Sequence, residues 1–183
     1  MTKLNNIMNI HGQCLLDYLN GDLTSFYLLE RDDGYVHPRY YAKDFFHEKD
    51  SFEETDKIAL EMCSGKILDL GAGAGSHSLY LLNRGFFVKS IDISRQVVKV
   101  MRLRGIKKAK EGDWNSNFSK KYNTILVLFG IGIAGNIQTL PIFLRKMKDL
   151  LEPGGVLLTD SIDFLNSKDI ELINYTKYNL EKG

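Results

Sequence analysis

Apolar positions recur at two periods along this chain, and the change from one to the other lays out an order of elements. Between residues 5 and 19, Ile7, Ile10, Cys14, Leu15, Tyr18 and Leu19 fall near a 3.6-residue period, which predicts a helix ended by Asn20-Gly21. Residues 22–50 break that period. Phe26, Tyr27, Tyr35, Tyr40, Tyr41, Phe45 and Phe46 are interleaved there with charges, around an Asp32-Asp33-Gly34 turn. Ser51-Phe-Glu-Glu54 has the spacing of a capping box and predicts a helix running to Met62 and stopping at Gly65.

From Lys66 the pattern is regular. Short apolar runs at 66–70, 87–91 and 124–129 and a weaker one at 108–111 predict strands. Between them lie helical stretches: 76–83 ended by Gly85, then a helix capped by Ser94 with Val97, Val98 and Met101 inward, stopped by Gly105. Thr139 is placed to cap a helix with Pro141 in its first turn, running to Leu151; Glu152-Pro-Gly-Gly155 then turns into a last strand, 156–160. Strands alternating with helices in this way predict an α/β, doubly wound, mostly parallel sheet with helices on both faces. Residues 1–60 read as a helical and aromatic N-terminal cap, 61–160 as the core and 161–183 as a tail, together one domain.

Composition narrows the class. With 183 residues, 44% hydrophobic and 26% charged, the chain has the balance of an ordinary globular domain. Twenty-four basic against 23 acidic side chains leave a net charge of +1, so no whole-molecule field steers it to nucleic acid or an anionic membrane. Cys14 and Cys63 form no C-x-x-C, and His11, His37, His47 and His77 show no metal-ligand spacing with them, so no metal site is expected. The first residues lack the basic-then-apolar order of a signal peptide, and no apolar run reaches the roughly 18–20 residues of a membrane span. A cytoplasmic location is the expectation.

The sharpest chemical signal is Lys66-Ile-Leu-Asp-Leu-Gly-Ala-Gly-Ala-Gly-Ser76, a strand opening through three alternating glycines into a helix. Such a turn brings backbone and a helix N-terminus close to an anionic group, either a pyrophosphate or an amino acid carboxylate. A dinucleotide fingerprint needs G-x-G-x-x-G, whereas here the third glycine falls one place early, at Gly75. Asp69 also lies two positions before the first glycine, repulsive beside a pyrophosphate and favourable beside a cationic amino group.

Asp69-Leu-Gly-Ala-Gly-Ala-Gly75 resembles the first motif of class I S-adenosylmethionine (SAM)-dependent methyltransferases, a likeness extending from about Lys66 to Asp160. The resemblance implies strand order 3-2-1-4-5 for the core. It places Asp92, at the end of the second strand, on the ribose hydroxyls. Asp113 after the third strand would take the adenine amino group, with Trp114 over the ring. It implies a cofactor set of Asp69, Gly71, Ala72, Gly73, Gly75, Asp92, Ile93, Asp113, Trp114, Leu128, Phe129 and Gly130.

Catalytic groups are less legible, because a sulfonium is already an activated electrophile and alignment of the acceptor can suffice. His37, His47 and His77 are the candidate bases; His77, in the first turn after the glycine loop, and Tyr41, from the aromatic cap, are carried forward. The chain lacks the [D/N/S]-P-P-[Y/F] run of adenine and glutamine methylating enzymes, having Leu128-Phe-Gly-Ile-Gly-Ile-Ala134 there. The basic run Lys99, Arg102, Arg104, Lys107, Lys108, Lys110 reads as a solvated helix end before a phosphate patch.

The leading expectation is methyl transfer to a small molecule or an exposed side chain. The alternatives are a SAM-binding, non-catalytic partner subunit and a nucleotide-dependent oxidoreductase. The family's sheet has seven strands, and the 23 residues after Asp160 hold too little for the last two. The tail is expected to be a helix capped by Ser167 or a strand over 170–180. Either the chain continues beyond Gly183, or the fifth-strand edge is covered by the tail, a partner or a second copy.

Overall fold

The computed structural model describes residues 3–128, 130–161 and 168–182. Helix α1 (Lys3–Leu19) opens the cap, followed by the two short strands β1 (Phe26–Tyr27) and β2 (Tyr40–Tyr41), which pair antiparallel. Single 3₁₀ turns at Ala42–Phe45 and Lys49–Ser51 lead to α2 (Glu54–Glu61). The core follows as β3 (Lys66–Leu70), α3 (Ser76–Asn83), β4 (Phe87–Asp92), α4 (Arg95–Leu103), β5 (Ala109–Glu111) and β6 (Tyr122–Val127). After a 3₁₀ turn at Ile131–Ala134 come α5 (Leu140–Leu150), β7 (Leu151–Thr159) and α6 (Ile170–Lys182).

The core sheet runs β5-β4-β3-β6-β7 with every pairing parallel. Counted over core strands alone, this is 3-2-1-4-5, as the resemblance implies; the two cap strands only shift the numbering. The chain leaves β3 toward β4 and β5 and returns to its other side through β6 and β7. The crevice where the connections part, at the carboxyl ends of β3 and β6, is where such sheets bind ligands.

Pleating sends alternate residues of β3 to opposite faces. Leu68 and Leu70 pack with Ile91, Ile125, Val127 and the α5 residues Phe143 and Met147. Ile67 packs on the other face with Leu60, Cys63, Leu81 and Leu126. A third cluster joins α1 to α4 through Leu15, Val97, Val100, Met101 and Ile106. Burial of each Leu or Ile contributes about 1.5–3 kcal/mol, so the strand that carries the glycine turn rests on two filled faces.

Four local expectations are corrected. Ser51 does not cap α2: its hydroxyl bonds the Glu48 backbone, and α2 begins at Glu54 with no side-chain cap. Thr139 lies at the start of α5, but its hydroxyl donates to the Ala134 carbonyl and closes the preceding turn. Strand β7 begins at Leu151, because Tyr122 pairs Leu151 and the Pro-Gly-Gly segment is absorbed as a register irregularity inside the strand. One member of the basic run is not a solvated end: Arg104 is half-buried and donates to the Ala74 carbonyl, whereas Arg102 stays exposed while donating to the Ala109 carbonyl.

The tail is helix, and Asp169 Oδ1 accepts from the N–H groups of Glu171 and Leu172 at 2.9 and 3.4 Å. Ser167, the expected cap, lies outside the described residues. Helix α6 docks on the Arg31–Tyr35 turn. The Arg31 guanidinium stands 4.4 Å from both the Tyr35 and Tyr175 ring centres, and the Tyr178 hydroxyl donates to the Asp32 carbonyl at 3.0 Å. No helix among the described residues is long and apolar enough to cross a membrane.

Candidate functional site

At the carboxyl ends of β3, β4 and β6 lies a cavity of about 550 Å³. Its floor is the glycine turn. The N–H groups of Gly71 and Ala72 donate to the Ile91 carbonyl at 2.8 and 3.1 Å, and that of Gly73 to Asp92 Oδ2 at 3.1 Å. These three donors therefore tie the turn to β4 rather than face a ligand. Glycine is required at 73 because φ is +53°, and a Cβ there would meet nothing within 4 Å. The backbone at Gly73 is thus open to the cavity.

Asp92 ends β4, 4% exposed. Its Oδ1 accepts from the Ser94 N–H at 2.9 Å and its Oδ2 from Gly73. A carboxylate has about four lone-pair positions, so acceptor capacity remains on each oxygen beside the cavity. Burial, with Asp69 adding repulsion, pushes its pKa up to about 6 against the backbone N–H groups of Ser94, Gly73 and Ile93.

Asp69 is buried on the α3 side of β3 and accepts from the Ser78 hydroxyl at 2.6 Å. Because the single Ser78 proton goes to the carboxylate, Ser90, 2.6 Å from Ser78, is the donor in that pair. Burial pushes the Asp69 carboxyl up, opposed by His77 and Ser78. Two buried carboxylates thus lie at one cavity. Among the described residues its wall carries no lysine or arginine. A ligand bearing positive charge suits that field.

Asp113 is exposed at the rim, its Oδ1 holding a turn through Asn115 N–H and the Ser116 hydroxyl at 2.9 and 3.2 Å. Trp114 stands edge-on to Phe143, with ring centres 5.6 Å apart, and also lines the cavity. Ile93, Leu128 and Gly130 complete the expected residues on the wall. Gly75 is not on it. Its Cβ would fall 2.3 Å from Ile106 Cδ1, so this glycine lets the loop pack on the end of α4. Phe129 lies outside the described residues.

His77 is on the wall, with Nε2 3.3 Å from Asp56 Oδ2 and its ring beside Phe52. Tyr41 is not; it pairs with Phe26 in the cap hairpin. His37 contacts the Tyr40 hydroxyl instead, whereas His47 reaches the cavity. Sequence reasoning missed Met8, His11, Phe45, Ser76 and Ile133. For two of them a signal existed: Met8 and His11 sit at helical spacing with Leu15, a second stripe on α1. Among the described residues, no three His, Cys, Asp or Glu side chains are grouped to hold a metal ion.

The family model described as tellurite resistance protein TehB matches residues 35–171. The chain belongs to the TehB family. No curated protein sequence matches it. Among solved structures, it is similar to a SAM-dependent methyltransferase from Bacteroides fragilis in complex with S-adenosyl-L-homocysteine. Identity is 33% and the TM-score 0.71, over 81% of this chain and 62% of that one. TehB from Haemophilus influenzae is 26% identical with a TM-score of 0.51, over 60% of this chain and 40% of that one. DesVI of Streptomyces venezuelae, 21% identical with a TM-score of 0.53 over 62% of this chain and 52% of that one, shows the shared fold alone. This TehB-family chain has the class I SAM-dependent methyltransferase fold, and it spans less than two thirds of the length of each of these proteins.

Proposed function

We propose that the chain binds SAM in the cavity and transfers its methyl group to a small molecule or an exposed side chain. The observation that carries this reading is Asp92: a buried carboxylate with acceptor capacity left on both oxygens, set beside the open backbone of Gly73. That pair of acceptors matches two adjacent ribose hydroxyls. When bound, the cofactor supplies a methyl group already activated on a sulfonium. Trp114 covers the adenine ring, and the Asp113 oxygen not engaged in its turn accepts from the adenine amino group. Asp69 favours the cationic amino group of the methionine moiety, and the absence of a cation on the described wall disfavours a pyrophosphate. The apolar wall of Leu128 and Ile133 excludes water from the transfer. His77, whose Nε2 lies 3.3 Å from Asp56 Oδ2, is the candidate to receive a proton from the acceptor.

Incubation of the chain with SAM and fractionated metabolites tests this. S-adenosylhomocysteine and a methylated product should accumulate with particular fractions and not with Asp92→Asn. Binding of SAM without turnover in any fraction would replace the enzyme reading with that of a non-catalytic partner subunit.

A further inference from the structure

The net charge of +1 conceals a separation of charge along the chain. Residues 84–123 carry 11 of the 24 basic side chains and 3 of the 23 acidic ones, so that stretch is +8 and the remainder −7. Exposed charges more than about 8–10 Å apart are screened at physiological salt, so a local patch acts on a partner whatever the total. The structure gathers part of this excess on one face of the sheet. In β4, Phe87 and Lys89 alternate with Val88 and share the face of Ile91, the one on which α5 packs. Lys110 pairs with Ile91 and lies on the same face. The connection from β5 to β6 contains no helix, and it sets Phe118 beside Lys89, with the ammonium 5.0 Å from the ring centre. Lys108 and Lys120 converge on Phe87, 3.5 and 5.7 Å from its ring centre. Lys146, from α5, donates to the Asn115 carbonyl of the same connection at 2.7 Å. None of these five lysines has a carboxylate within ion-pair distance among the described residues. Of the three acids in the stretch, Asp92 is buried at the cavity, Glu111 alternates to the opposite face, and Asp113 holds its own turn.

We propose that this face binds the phosphate backbone of a nucleic acid duplex without reading its bases, an inference independent of the methyl-transfer reading. A lysine ammonium is a point charge that meets a phosphate with little demand on angle. Backbone contact of this kind releases counterions and carries no sequence information. A single strand would need free aromatic faces to stack its bases, and here Phe87 and Phe118 are half-buried with an ammonium over each ring. An acidic protein partner fits less well, because lysine is depleted from interface cores and this face offers no apolar centre. A membrane surface takes up inserted apolar side chains, and none of the exposed large hydrophobic residues lies on β4, β5 or residues 112–121.

The test follows the fluorescence anisotropy of a labelled DNA duplex of about 20 base pairs titrated with the full chain, in two unrelated sequences and from about 50 to 200 mM salt. Both sequences should bind alike, with dissociation constants of about 1–100 μM at the higher salt and tighter binding below it. Lys108→Gln, Lys110→Gln and Lys120→Gln combined should lower affinity at least about tenfold at the lower salt and reduce the log–log salt slope by about 3. Arginine at the same three positions keeps the charge and should keep the affinity within about threefold. A thermal melt checks the fold of each variant; if the triple glutamine variant unfolds, the exposed Lys110→Gln alone carries the test, with the slope reduced by about 1. No binding at the lower salt, a preference for one sequence, unchanged affinity and slope in the glutamine variants, or tighter binding of polyglutamate or of phosphatidylserine vesicles than of the duplex overturns the proposal.

Discussion

Asp92 does two things at once, and its variants separate them. Its oxygens hold Gly73 and Ser94 and keep capacity for a ligand. Losing a hydrogen bond to a charged acceptor typically costs about 1.5–3 kcal/mol, so Asp92→Asn should weaken S-adenosylhomocysteine binding about ten- to hundredfold by calorimetry. The raised pKa gives a second readout. A carboxyl whose folded pKa lies above its unfolded value stabilises the fold at low pH, and that contribution is lost as pH rises through the folded pKa. Relative to Asp92→Asn, the ligand-free chain should therefore lose about 3 kcal/mol between pH 4 and pH 6–7. Denaturant melts of both chains across that range check it, because the lowered His11 pKa raises the stability of both over the same range; a difference between them that does not change with pH would contradict it. The glycines divide similarly. Gly73→Val adds atoms to open space at a strained φ costing about 1–2 kcal/mol, so it should fold yet lose the ligand. Gly75→Ala drives a methyl into Ile106 and should lower the melting temperature instead.

At the scale of elements, the glycine loop is held from outside. Arg104, at the end of α4, donates to the Ala74 carbonyl at 2.6 Å and stacks on Phe46, while the Ser76 hydroxyl donates to the Phe45 carbonyl. Arg104→Ala should cost about 1.5–3 kcal/mol in a thermal melt and weaken the ligand less than Asp92→Asn does. No sequence pattern marks this role, since Arg104 sits among five other basic residues and its partner is a backbone carbonyl 30 positions away. The strands and helices of the core were legible because each is short, periodic and punctuated by glycine. Helix starts were less so: Ser51 and Thr139 have capping chemistry, but nearer carbonyls at Glu48 and Ala134 take their hydroxyls. Asp69, Asp92 and Asp113 were legible as acids at strand ends. His11 shows in the sequence only as part of an α1 stripe with Met8 and Leu15; its place on the wall depends on how α1 crosses the start of α4 at Gly12, a contact about 80 residues apart in sequence.

Across the whole molecule, cap residues Met8, His11, Phe45 and His47 line one side of a cavity floored by the glycine turn, and α6 docks on the cap's Arg31–Tyr35 turn. Arg31 lies between Tyr35 and Tyr175 and pairs with Asp33 at 2.8 Å, joining the tail helix to the cap turn. Arg31→Ala should raise amide hydrogen exchange in Ile170–Lys182 while leaving β3, β4 and β6 protected. Unchanged exchange in α6 would show that other contacts hold the helix. The central claim concerns the cavity, and a calorimetric titration of S-adenosylhomocysteine and NAD into the wild-type chain and Asp92→Asn tests it most directly. The account predicts saturable binding of S-adenosylhomocysteine alone, weakened about ten- to hundredfold in Asp92→Asn; no binding, equal binding of NAD, or the same affinity in both chains would contradict it.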